Sequence, residues 1–206
     1  MFKIHNIKIN AFAQRNPDNL FAVVMMVSLS IQQKWSLVGD MLSDMIENKA
    51  ESKYIWGNKK FTYDYMTIHK HFIHGQMMAV LKSKNLTDHG KAISLMKIFL
   101  KIDGLGLAKA GFVCQLVGGL VGCMDVHNIK TYGVESKSLI LNKNLKTSKG
   151  LENNRRKVEK YITLCHDYGT ENLWNSWCSM IANKYPKDFL DGNHVSELHY
   201  TYLIGE

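Results

Sequence analysis

An all-α fold is what this sequence predicts, and three observations predict it. Apolar residues recur with a period near 3.6 over long stretches, only two prolines interrupt the chain, and alternating runs of β-branched residues are few. At 206 residues and 46% hydrophobic content, the chain can bury one well-packed core, either as one domain or as two lobes sharing it.

The elements follow in order. Asn16-Pro17-Asp18 supplies a helix start with Asp18 as the cap, and the apolar run from Leu20 to Leu29 reads as a buried helix. After the turn "SIQQ", the residues Trp35, Leu37, Val38, Met41, Leu42 and Met45 share one face of a helix from about Lys34 to Ile46. The middle of the chain carries His69, His71 and His74 among Tyr, Phe and Met. No acidic or cysteine ligand lies at a matching helical offset, so solvated or hydrogen-bonded histidines are expected there and no metal.

Thr87-Asp88 begins another helix, whose Ile93, Met96, Ile98, Phe99 and Leu100 supply a buried face. The segment "IDGLG" joins it, near Lys101, to a helix from about Leu107 to Val117 that runs out at Gly118-Gly119. An apolar strip from Leu120 to Met124 then leads to Asp125, the natural N-cap of a helix starting "VHNIKTYG". Residues 134–157 turn polar and basic, with Lys137, Lys143, Lys146, Lys149, Arg155, Arg156 and Lys157 against Glu135 and Glu152. That stretch is either a solvated connection or an arm that contacts phosphates. Helices through "VEKYITLCHDYG" and "TENLWNSWCSMIANKYP" complete the chain, the latter capped by Thr170, with Leu173, Trp174, Trp177 and Ile181 at core spacing.

Composition narrows the function classes. A net charge of +8 favours polyanionic partners, nucleic acid before anionic membrane, because clustered Lys and Arg release counterions from phosphate chains; a merely soluble surface is the plain alternative. Cys114, Cys123, Cys165 and Cys178 form no C-x-x-C pair and no tight cluster, so reduced structural thiols are expected. The run "FAVVMMVSL" is too short to span a bilayer, and the N-terminus lacks the order of a signal peptide, so the expectation is a cytoplasmic protein with no membrane partner.

Two features carry chemistry. Glycines in a tight inter-helix hairpin let the backbone approach a ligand, and the amides of Leu105, Gly106 and Leu107 then point out of a helix N-terminus, which suits a phosphate. A purely structural hairpin is the other reading. The pattern is not a dinucleotide fingerprint, since it follows a helix and lacks the third glycine. Asp125 can cap its helix and still serve as a positioned carboxylate.

These residues resemble a family. "IDGLGLAKA" and "CMDVH" are similar to the hairpin and the catalytic segment of the helix-hairpin-helix DNA glycosylases, the superfamily of endonuclease III, the adenine glycosylases and the oxoguanine glycosylases. The family's hairpin reads roughly L-P-G-V-G, and its V-D-x-H segment follows the second helix. The matching positions are Gly104, Leu105 and Gly106, then Asp125 and His127, with Asp125 following Gly104 by 21 residues. Upstream, "SIQQ" resembles the family's L-S-x-Q-T helix end, with Ser30 and Gln32 at the matching positions.

The resemblance implies a two-lobed helical fold with the active site in the cleft between lobes. Residues 20–133 would form the lobe with the hairpin and the catalytic Asp, and residues 1–19 with 134–206 the second lobe, 134–157 being its basic connection. It implies a monomer that binds double-stranded DNA and flips a modified or mismatched base. Asp125 would cleave the glycosidic bond, Gln32 would lie at the base pocket or the vacated space, and Gly104 to Leu107 would grip a phosphate. His127 and Lys109 would support the site from behind, and no cofactor is implied. The lyase lysine of bifunctional members aligns with Ala108, Asp103 replaces the usual Pro, and the iron–sulfur cysteines are absent, which implies a monofunctional enzyme. Two alternatives share the fold: a phage-type enzyme of thymine hypermodification, which exchanges a substituent on the base, and a non-catalytic binder of bent or damaged DNA.

Overall fold

The computed structural model describes residues 6–33, 37–141 and 147–184, and among them every regular element is helical. The helices are α1 (Asn6–Arg15), α2 (Pro17–Leu29), α3 (Val38–Asn48), α4 (Asn58–Lys82), α5 (Asp88–Phe99), α6 (Leu107–Gly118), α7 (Val126–Thr131), α8 (Ser148–Tyr168) and α9 (Thr170–Lys184). Short 3-10 turns occupy Lys49–Glu51 and Ser136–Leu139. The all-α expectation holds. Trp35, Lys143 and Lys146 lie outside the described residues, as does the side chain of Ile181.

The hydrophobic pattern explains why α2 is central. From Leu20 onward it carries no charge, so it has no face to give to water, and it packs against α1, α3, α4 and α6 at once. Leu20, Val23 to Val27 and Leu29 are all buried, each fully buried aliphatic side chain contributing on the order of 1.5–3 kcal/mol. The helix starts differently from the expectation. Asn16, not Asp18, is the cap, and its side chain accepts the Asn19 N–H at 2.8 Å, with Pro17 at the first helical position. Asp18 sits within the first turn, where its charge complements the helix dipole, and pairs with Lys70 of α4.

Helix α3 begins at Val38 and buries Val38, Met41, Leu42 and Met45, whereas Leu37 is exposed. On α4, His74 donates from Nε2 to the Gln14 carbonyl at 3.0 Å, and the exposed ring of His69 packs on Tyr65. Thr87 caps α5 by accepting the Gly90 N–H at 3.1 Å. The buried face of α5 is Ala92, Leu95, Met96, Ile98 and Phe99, and Ile93 and Leu100 are only half-buried. It is turned this way because α5 is contacted by α4, α6 and α8 together.

The C-terminal helices depart most from the pattern reading. Helix α8 starts at Ser148, ten residues before Val158, with Thr147 as its cap, so the end of the basic stretch is helix. Its first turns are exposed, and Arg155 and Arg156 both reach Glu152, at 2.9 and 3.1 Å. An exposed turn needs no apolar period, so the sequence pattern does not reveal it. Trp174 and Trp177 of α9 are buried against Phe112 of α6 and belong to the core. Buried side chains form one continuous cluster from Ile9 to Cys178. Among the described residues, no helix is long and apolar enough to cross a membrane.

Candidate active site

The hairpin between α5 and α6 is clamped on the first turn of α4. Gly104 has φ +87°, and a Cβ there would fall 2.3 Å from the Asn58 carbonyl oxygen and 2.5 Å from Thr62 Oγ1. Thr62 Oγ1 donates to the Asp103 carbonyl at 2.8 Å, locking the turn in place. Leu105 corrects one expectation: its side chain is buried, and its N–H donates to the Ile102 carbonyl at 3.2 Å, so that amide serves the turn and not a ligand. The amides of Gly106, Leu107 and Ala108 open α6 with no protein acceptor among the described residues. Gly106 is exposed, and a Cβ on it would meet nothing within 4 Å.

Asp125 is the N-cap of α7, and its Oδ1 accepts the Asn128 N–H at 3.0 Å. The strip before it is fastened from three sides. Tyr161 of α8 donates its hydroxyl to the Gly122 carbonyl at 2.9 Å and accepts the Met124 N–H at 2.8 Å. Gln115 of α6 accepts the Cys123 N–H at 2.7 Å and donates to the Thr170 carbonyl at 3.0 Å. Asn128 Nδ2 donates to the carbonyls of Cys123, at 2.6 Å, and Leu173, at 2.9 Å. Gly111 makes room for this arrangement, since a Cβ there would lie 2.3 Å from the Tyr161 hydroxyl. The carboxylate is therefore held by fixed, buried polar groups.

Lys109 turns inward. Its Nζ donates to Ser30 Oγ at 2.9 Å, at the end of α2, and lies 5.8 Å from the centre of the Phe112 ring. Burial holds its pKa below the usual lysine value, and the negative charge of Asp125 offsets this in part. No ion pair joins Lys109 to Asp125, although the two interact through space. Lys109 of α6 thus joins Ser30 at the end of α2 and feels the charge of Asp125 at the start of α7. Lys109→Met is expected to stabilise the fold by up to about 1 kcal/mol at pH 7, because it removes a half-buried ammonium with no carboxylate in contact. The depressed folded-state pKa gives the sign: the wild type bears this cost at low and neutral pH and sheds it as pH rises through that pKa toward the unfolded value. Thermal unfolding of both proteins at pH 7 and pH 10 measures the difference, which narrows at the higher pH.

The remaining predicted residues are placed as follows. Gln32 lies exposed in the turn after α2 with φ +56°, a left-handed conformation uncommon outside glycine. His127 is half-buried, and its Nε2 lies 3.2 Å from Ser176 Oγ of α9, so it braces α7 from behind. Cys123 adjoins Asp125, but burial and the neighbouring carboxylate push its thiol well above the ordinary range, which leaves it without nucleophilic thiolate. In the basic segment, Lys157 donates to the Ile140 carbonyl, and Arg155 and Arg156 hold Glu152 in exposed pairs that a phosphate could displace at little cost.

Sequence reasoning did not single out Gln115, Asn128 or Tyr161. A glutamine inside the apolar run "GFVCQLVGG" and an asparagine just after Asp125 were signals; Tyr161 gave none. Comparison with known proteins finds no matching family model, no matching curated protein and no matching solved structure.

Proposed function

We propose that the protein binds double-stranded DNA, extrudes one nucleotide and cleaves the glycosidic bond of its base with Asp125, as a monofunctional DNA glycosylase of the helix-hairpin-helix type. The observation that carries this reading is the link from Lys109 to Ser30 and to the charge of Asp125, residues that stand at or next to the three sequence motifs of the resemblance. Cleavage builds positive charge on the sugar, and a fixed carboxylate is the group that stabilises such a cation and orients the attacking water. Extruding the base supplies access, and Gln32 stands exposed in the turn after α2. The open amides from Gly106 to Ala108 are suited to a backbone phosphate, which positions the duplex without reading its sequence.

Ala108 favours a second reading within the same fold. With no lysine at the lyase position, the site also suits an exchange of a substituent on an extruded thymine, in which the glycosidic bond survives. The deciding experiment is a panel of duplexes carrying damaged, mismatched and hypermodified bases, incubated with the purified protein. Abasic-site formation supports the glycosylase, covalent change of a modified thymine supports the exchange, and neither outcome on any duplex would sink both.

Gly106→Trp tests the hairpin separately. Space at Gly106 is open, so the fold should be unaffected, while the indole covers the amides. Losing their hydrogen bonds to a charged phosphate, about 1.5 kcal/mol, weakens DNA binding roughly tenfold. Unchanged affinity at physiological salt would count against the phosphate grip.

A further inference from the structure

We infer that Lys109 is a second catalytic residue of this site, holding the negative charge that gathers on the base as it departs while Asp125 faces the positive charge on the sugar. The inference rests on the glycosylase reading above and assigns to Lys109 the departing group, which that reading leaves unattended.

Three features of the geometry point there. First, the amine is aimed. Ser30 Oγ gives its own proton to the Val27 carbonyl at 2.7 Å, so its oxygen is left to accept from Lys109, and this fixes where the long side chain ends. Second, the amine has capacity. An ammonium has three donors, and Ser30 takes one. Third, the amine is set against the carboxylate without touching it: Asp125 lies within reach of its field, yet no direct ion pair closes the space between them. A half-buried cation with no ion-pair partner adds nothing to packing that a methionine would not supply. Opposite charges that share one region without pairing are what a bond needs when it breaks into a cationic sugar and an anionic base.

The step balances. The bond between sugar C1′ and the ring nitrogen breaks, and both electrons go to the base. Lys109 donates a hydrogen bond to an acceptor on that base and passes it a proton as the charge arrives. Water adds its hydroxyl to C1′ and gives up its proton by way of Asp125 and solvent, which restores the ammonium. Burial already weakens the hold of Lys109 on its proton, which favours the transfer.

The test compares wild type, Lys109→Met and Lys109→Arg in single-turnover base release from two duplexes. One carries the base that the panel identifies, and the other carries the same base with a ring fluorine, which makes it a better anionic leaving group. Lys109→Met is expected to lose roughly 10²-fold on the parent base and on the order of tenfold on the fluorinated one, with Lys109→Arg in between and DNA affinity unchanged. Should Lys109→Met fail to fold, Lys109→Gln carries the same comparison. An equal loss on both bases, or no loss, would overturn the inference and leave the glycosylase reading standing. Wild-type protein that releases no base from any duplex would overturn the reading itself, and the inference with it.

Discussion

Replacing Asp125 by Asn should abolish base release and leave the fold where it is. Both halves follow from one position. As the N-cap of α7, Asp125 needs only a side-chain oxygen for the Asn128 N–H, and Asn supplies one as well as Asp does. The supports from Tyr161, Gln115 and Asn128 act on the backbone before it and do not involve the carboxylate's charge. The unfolding midpoint should therefore move by no more than the equivalent of about 0.5 kcal/mol. The proposed reaction, by contrast, loses the fixed negative charge that would face the sugar cation, and a fall of roughly 10³-fold or more is expected. Asp125→Ala separates the two roles: it loses the same activity and a further ~1 kcal/mol of stability as the cap disappears. Full turnover by Asp125→Asn would remove this residue from the mechanism.

Gly104→Ala should be the most damaging single methyl addition in the hairpin. A residue with a Cβ at φ +87° costs on the order of 1–2 kcal/mol in backbone terms alone. The new methyl would also collide with the Asn58 carbonyl oxygen and Thr62 Oγ1, so the hairpin must lift off α4 and break the bond from Thr62 to the Asp103 carbonyl. Overpacking of that kind adds ~1–3 kcal/mol, for a total near 3 kcal/mol. Gly106→Ala is the control: with nothing within 4 Å, its cost should stay within about 0.5 kcal/mol. Thermal unfolding of the two variants side by side reads the contrast, and equal stability would mean that the clamp on α4 is not what shapes the hairpin.

The helical fold was legible because most of its helices bury a face, and burial writes a period into the sequence. Helix α2, capped near Pro17 and apolar from Leu20, follows its pattern closely, as do α5 and α6 on either side of the hairpin. The first half of α8 escaped because none of its side chains from Leu151 to Lys157 is buried, and an unburied turn needs no apolar period. Around the candidate site, spacing indicated Asp125 as a cap and the hairpin as a turn. It could not show that Leu105 gives its amide to Ile102, nor that Lys109 turns inward to Ser30. The second outcome depends on helices α2 and α6 lying side by side, a contact between residues 79 positions apart that no local pattern encodes.

The grip of Tyr161 on Gly122 and Met124 has a consequence for how the protein is made. The chain emerges from the ribosome N-terminus first, and Asp125 leaves well before its anchors: Tyr161, which bonds Gly122 and Met124, then Thr170 and Leu173, whose carbonyls accept from Gln115 and Asn128. Until those have emerged, the segment that carries the carboxylate lacks its anchors from α8 and α9. Helices α8 and α9 are thus no appendage that could be trimmed away without loosening this segment; their synthesis completes the anchoring of the residues around Asp125.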